Sequence, residues 1–156
     1  MIDLARMTAL VAVLSAAVIY GTDVFCAVVQ RPALARVDDR ALVAVMGHVH
    51  HYGDRRMPVP GALAIIAAAS SGALDALSGR WIATSAAATA VGLLLIWLVV
   101  YVRVSAPINR RLTTAVNAGE VPPNARVLQN DWDRVIIARA VLQGLAIAAL
   151  CLALLN

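Results

Sequence analysis

An all-α, integral membrane four-helix bundle with a short amphipathic helix on the cytoplasmic side is the fold class this sequence predicts. Three observations predict it. The 156 residues are 62% hydrophobic and only 14% charged, a balance outside that of soluble domains. The charges gather between four apolar runs, each close to the ~20 residues that cross a bilayer as a helix. The arginines fall almost entirely in alternate connections, as they do in multi-pass proteins.

The first span is expected over 4–29, longer than the bilayer needs, so tilt or a protruding inner end follows. Arg6 before an apolar run mimics a signal peptide. No small-residue cleavage site with a polar follow-on appears, and the run continues past Asp23, so a retained span is expected. Arg31-Pro32 ends it, because proline disfavours helix at the residue before it. Asp38 and Asp39 are N-cap candidates for the next segment, Arg40 to about Tyr52. Leu42, Val45, Met46 and Val49 recur there at helical spacing, which predicts an amphipathic helix lying on the inner surface.

Pro58 and Pro60 mark entry to the second span, 59–77, rich in Ala, Ser and Gly that let helices approach closely. Ser78-Gly79-Arg80 is a minimal connection, so spans two and three form an antiparallel hairpin. Asp75 is expected to meet Arg80 or water beside that turn. The third span is 81–104, with Trp81 at one interface and Trp97 and Tyr101 near the other. A polar stretch with Pro122-Pro123 follows, a helix start falls near Asn130-Asp131-Trp132, and the fourth span is 135–155. Both long loops open with a proline segment, a weak hint of a two-plus-two repeat. The whole chain reads as a single membrane domain.

All 13 basic residues are arginine, a bias that a GC-rich genome explains. Arg31, Arg36, Arg40, Arg55 and Arg56 follow span one, and Arg103, Arg110, Arg111, Arg126 and Arg134 follow span three, against only Arg6 and Arg80 on the other side. The expected placement is the inner (plasma) membrane, with both long loops in the cytoplasm and both termini outside. The net charge of +4 then faces the lipid bilayer's anionic inner leaflet. No aromatic-interleaved basic patch is present, so nucleic acid is not an expected partner. Cys26 and Cys151 fall near opposite ends of the spans, beyond the ~7 Å that a disulfide bridges.

The chemistry is expected where charge enters the apolar runs. An ionisable group in a span is costly and faces an inward partner. By helical rise, Asp23 and Arg139 each lie about 9 Å from the centre of their span, toward the cytoplasm. Trp132, Ile136, Arg139 and Gln143 share one helical face, and Ala16, Tyr20, Asp23 and Ala27 share another. These faces are expected to enclose a polar chamber with Tyr20, Trp132 and Gln143 on its wall. The pair is then either a structural ion pair or part of a pocket for a lipophilic small molecule.

All three histidines stand within four residues, and His48 and His51 share a face at i and i+3. With Asp54 or Asp23 they could make an open iron or copper site, or one could be a general base oriented by a carboxylate. His-x-His-His matches no specific ligand spacing, so no metal ligand is assigned. A haem or metal redox protein using the cluster stays open as an alternative, although no haem attachment motif is present. Phosphate-binding and serine-hydrolase motifs are absent.

The early GTDVF segment, the Pro107-x-Asn109-x-x-Leu112 element and the terminal Trp132-x6-Arg139 resemble the anthrone oxygenase-like family of small four-span membrane proteins, over nearly the whole chain. The resemblance implies oxidation of a planar phenolic or polyketide-like molecule by molecular oxygen, with no conventional cofactor. It implies that Arg139, Asn109 and Tyr20 donate to a delocalised phenolate, an arrangement that lowers the barrier where charge develops. Trp132 would stack on the ring. The family commonly carries a histidine where this chain has Ile136, so His48 or His51 is the expected base. The alternative is a non-catalytic membrane protein that binds a lipid or a partner and uses Asp23–Arg139 structurally.

Overall fold

A computed structural model describes residues 1–156. The chain is helix and turn with no strand, and four helical stretches, Ile2–Leu34, Asp39–Leu77, Trp81–Ala118 and Ala125–Leu155, are long and apolar enough to cross a membrane. Helix α1 (Ile2–Phe25) passes through a π-helical segment, Cys26–Gln30, into the single turn α2 (Arg31–Leu34). Helix α3 (Asp39–Arg56) is followed, after Met57 alone, by α4 (Pro58–Leu77). Helix α5 (Trp81–Val100) passes through a second π-helical segment, Tyr101–Ser105, into α6 (Ala106–Ala118), and α7 (Ala125–Leu155) completes the chain.

The two π segments have one cause. Each ends two residues before a proline, Pro32 and Pro107, whose ring would collide with the carbonyl four residues back. The helix widens there instead: the Arg31 amide bonds the Cys26 carbonyl, and the Ala106 amide bonds the Tyr101 carbonyl, each five residues back. The expected breaks at these prolines are therefore bulges within continuous helices.

Helices α1 and α5 each pack chiefly on α4 and α7, through alanines that let backbones approach closely: Ala12, Ala16, Ala64, Ala68, Ala90 and Ala146. A second apolar cluster joins α3, α6 and the start of α7 through Leu42, Met46, Leu112, Leu128, Trp132 and Ile136. Ser71 Oγ donates to the Ala5 carbonyl at 3.0 Å, and Asp75 pairs with Arg80 at 3.0 Å, at the end that carries both termini. At the opposite end Arg126 donates to the Asp39 carboxylate at 2.6 Å, to the Leu34 carbonyl at 2.8 Å and to the Val37 carbonyl. That single side chain ties the α2–α3 turn to α7.

The inner-surface helix is corrected in two respects. Asp38 caps α3, its carboxylate accepting from the Ala41 amide at 2.7 Å, but the buried face is Leu42, Val43, Met46, Gly47 and His50. Val45 and Val49 of the expected stripe are exposed. The reason is Gly47, where a Cβ would stand 2.8 Å from the Leu112 carbonyl oxygen, so α3 turns its smallest residue onto α6. The apolar face is thus covered by protein rather than left for a lipid surface. The covering helix, α6, occupies a stretch that reads as polar loop, and it buries Ile108, Asn109, Leu112 and Ala115. It ends at Gly119, whose φ of +69° suits glycine, with the Glu120 amide reaching back to the Ala115 carbonyl at 3.0 Å.

Candidate functional site

Between the two apolar clusters runs a belt of buried polar side chains. Their elements are fixed by the packing just described: Asp23 lies on α1 in the buried series Ala12, Ala16, Ile19, Asp23, and Arg139 and Gln143 on α7 in the series Trp132, Ile136, Arg139, Gln143. Arg139 Nη2 donates to Asp23 Oδ1 at 2.8 Å. Gln143 Nε2 donates to Asp23 Oδ2 at 2.8 Å. Arg139 Nη1 donates to Ser105 Oγ at 2.8 Å, and Ser105 is the last residue of the second π segment.

The guanidinium also lies over two rings, 5.5 Å from the centroid of Tyr101 and 5.7 Å from that of Trp132, within cation–π range. Tyr101 stacks on Trp97 at 6.2 Å. A second cluster meets the first through Tyr101, whose hydroxyl donates to Asp54 Oδ1 at 2.7 Å. Asn109 Nδ2 donates to the same oxygen at 2.7 Å.

One cavity of about 430 Å³ is lined by Trp97 and Tyr101 and, at its polar part, by Asp23, His50, Asp54, Asn109, Trp132 and Arg139. That volume lies in the range of small-molecule sites, ~300–1,000 Å³. Five polar atoms of the lining residues are buried without a hydrogen-bond partner: His50 Nε2, Trp97 Nε1, Asn109 Oδ1, Trp132 Nε1 and Arg139 Nε. Native interiors leave few such atoms, and each calls for a reason. Together they offer three N–H donors, an amide acceptor and an imidazole nitrogen around one space, edged by aromatic rings.

Of the residues singled out in the sequence, Asp23, Arg139, Asn109 and Trp132 line this cavity, and Gln143 stands behind Asp23 as its second donor. Three expected positions are corrected. Tyr20 is 36% exposed and packs on Gly144 in a separate shallow groove between α1 and α7. It stands one residue beyond Ile19, some 100° round α1 from the buried series. His48 is exposed and His51 is half-buried, its ring edge-on to Tyr52 at 5.1 Å. The histidine on the cavity is His50, which is buried with its ring 5.6 Å from that of Trp132.

Sequence reading passed over His50, Tyr101 and Ser105. The signal for His50 was present, since Met46, His50 and Asp54 follow at steps of four and share a face. Tyr101 and Ser105 carried none, because their placement depends on the π register. No three His, Cys, Asp or Glu side chains come together as a metal-ligating group, so the His48–His51–carboxylate set does not assemble. No family model, curated protein or solved structure matches this chain.

Proposed function

We propose that this chain is a four-span inner-membrane bundle, arginine-rich end in the cytoplasm and termini outside, whose polar chamber binds a planar lipophilic molecule bearing phenolic or quinone-type oxygens. The observation that carries the reading is the set of five unpartnered buried polar atoms around one cavity. A flat ring system with oxygen at its edge would accept from Trp132 Nε1 and Arg139 Nε while its faces meet apolar and aromatic walls.

The reaction that fits is oxygen-dependent oxidation of such a molecule, as the likeness to anthrone oxygenases implies. An acidic ring CH₂ gives a proton to a base, and the negative charge spreads to the ring oxygen. Arg139, held by Asp23 and Ser105, stabilises that charge as a preorganised donor. The carbanion carbon adds molecular oxygen to give a hydroperoxide, and loss of water leaves a ketone. In sum, CH₂ and O₂ become C=O and H₂O. His50 is the base in this scheme, taking the place of the histidine that the family carries where Ile136 stands here. Ile136 is itself fully buried in the apolar cluster with Trp132, and His50 reaches the Trp132 ring from α3. Asp23, with both oxygens engaged, positions Arg139 rather than moving a proton.

The test is anthrone consumption, followed by absorbance together with oxygen uptake, by purified protein in lipid nanodiscs. Turnover that falls about 10²–10⁴-fold in His50→Ala supports His50 as the base, with His48→Ala expected to keep wild-type rates. No turnover by the wild type above empty nanodiscs discards the oxidation. Saturable anthrone binding in that case leaves the non-catalytic binding protein as the reading.

A further inference from the structure

The cavity changes character along its length. Its polar part is deeply buried: Asp23, His50 and Asn109 are each 4% exposed and Arg139 is 6% exposed. Its far part is walled by Ala62, Ile65 and Ile66 of α4 and by Leu95 and Leu98 of α5, where Ile66 is 62% and Leu95 46% exposed. The lining therefore reaches the outer surface of the protein between these two helices. The helices touch closely beyond this point, where a Cβ at Gly72 would stand 3.2 Å from that of Ala87. Ile66 stands eight residues into α4, about 12 Å along its axis, and Leu95 about 9 Å before Tyr101. Both positions fall within apolar stretches, away from the charged connections.

We propose that this gap is a lateral mouth opening to the hydrocarbon of the bilayer, and that the ligand is a tailed amphiphile. Its planar phenolic head sits against His50, Trp132 and Arg139, and its alkyl or isoprenoid tail leaves between α4 and α5 into the lipid. The inference rests on the chamber reading above and adds the class of molecule and its route. The chemistry on each side agrees. The head region presents donors, a carboxylate and rings, whereas the mouth presents only aliphatic carbon. A tail that stays in lipid loses no apolar contact when the head binds, so it neither costs nor adds much binding free energy. A closed chamber of about 430 Å³ would instead reject a tail once it outgrew the space.

The experiment uses the full chain in nanodiscs and reads quenching of tryptophan fluorescence by 1-naphthol and by 1-naphthols bearing a butyl, octyl or dodecyl chain, each at known concentration in the bilayer. Affinity referred to that concentration is expected to stay within about threefold from 1-naphthol to the dodecyl probe. Ile66→Trp and, separately, Leu95→Trp place bulk at the mouth on surface positions that folding tolerates. Each is expected to weaken the dodecyl probe at least about tenfold while sparing 1-naphthol. If 1-naphthol binds and the dodecyl probe does not, the mouth is wrong and the chamber stands. The mouth is equally overturned if the long-chain probe binds but neither substitution discriminates by tail length. If no probe binds, 1-naphthol included, the chamber reading falls and takes the mouth with it.

Discussion

Arg139 is held on three sides, by Asp23, by Ser105 and by the rings of Tyr101 and Trp132. With side-chain exposures of 8% and 5%, Arg139 and Asp23 are a buried pair, whose attraction is largely offset by the cost of taking both charges out of water. Such a pair adds little net stability, but breaking one side leaves an unmatched charge. Arg139→Met should therefore destabilise the fold by about 3–5 kcal/mol, read as a lowered melting temperature in detergent. Asp23→Leu combined with Arg139→Met should recover most of that loss, because no charge then remains buried, yet should not recover binding of the phenolic probe. Recovery of both would mean that the pair does nothing for the ligand. Loss of stability in the double variant equal to the sum of the single ones would mean that the two residues are not coupled.

At the scale of elements, the sharpest feature is the contact of α3 with α6 at Gly47. Any side chain there meets Val116 Cγ1 at 2.5 Å and a backbone carbonyl at 2.8 Å, and the carbonyl cannot rotate away. Gly47→Val is expected to cost about 1–3 kcal/mol by overpacking and to speed proteolysis of the turn that follows Gly119. Gly21→Ala, where an added Cβ meets nothing within 4 Å, is expected to stabilise α1 by about 0.5–1 kcal/mol. Equal melting temperatures for the two variants would contradict this packing. The same contact explains what the sequence hid. The four apolar stretches and the matched level of Asp23 and Arg139 along their helices could be read from hydropathy and helical rise alone. The face of α3 could not, since Val45 and Val49 are as apolar as Leu42 and Val43, and only a partner helix decides which side is covered. That partner, α6, sat in a segment of low hydropathy. The choice of His50 over His48 and His51 followed from it. The π segments were similarly out of reach, because a proline in a sequence announces a broken helix and a widened one alike.

For the molecule as a whole, the distribution of arginine is the argument for orientation. Arg80 at the terminal end is engaged by Asp75 at 3.0 Å, which leaves Arg6 as the one arginine without an ion pair there. At the other end Arg36, Arg40, Arg55, Arg56, Arg103, Arg110 and Arg111 form no ion pair, and only Arg31, Arg126 and Arg134 do. Positive residues flanking spans are retained in the cytoplasm largely irrespective of acidic neighbours, so the bias holds whether or not pairs are discounted. In a background of Cys26→Ala and Cys151→Ala, Asn156→Cys should react with a membrane-impermeant maleimide on intact cells. Arg111→Cys should react only after lysis. Labelling in the reverse pattern would turn the molecule over and place the polar chamber toward the outer leaflet. The mouth between α4 and α5 would then sample outer-leaflet lipids, and the ligand would be sought among molecules reaching the protein from outside the cell.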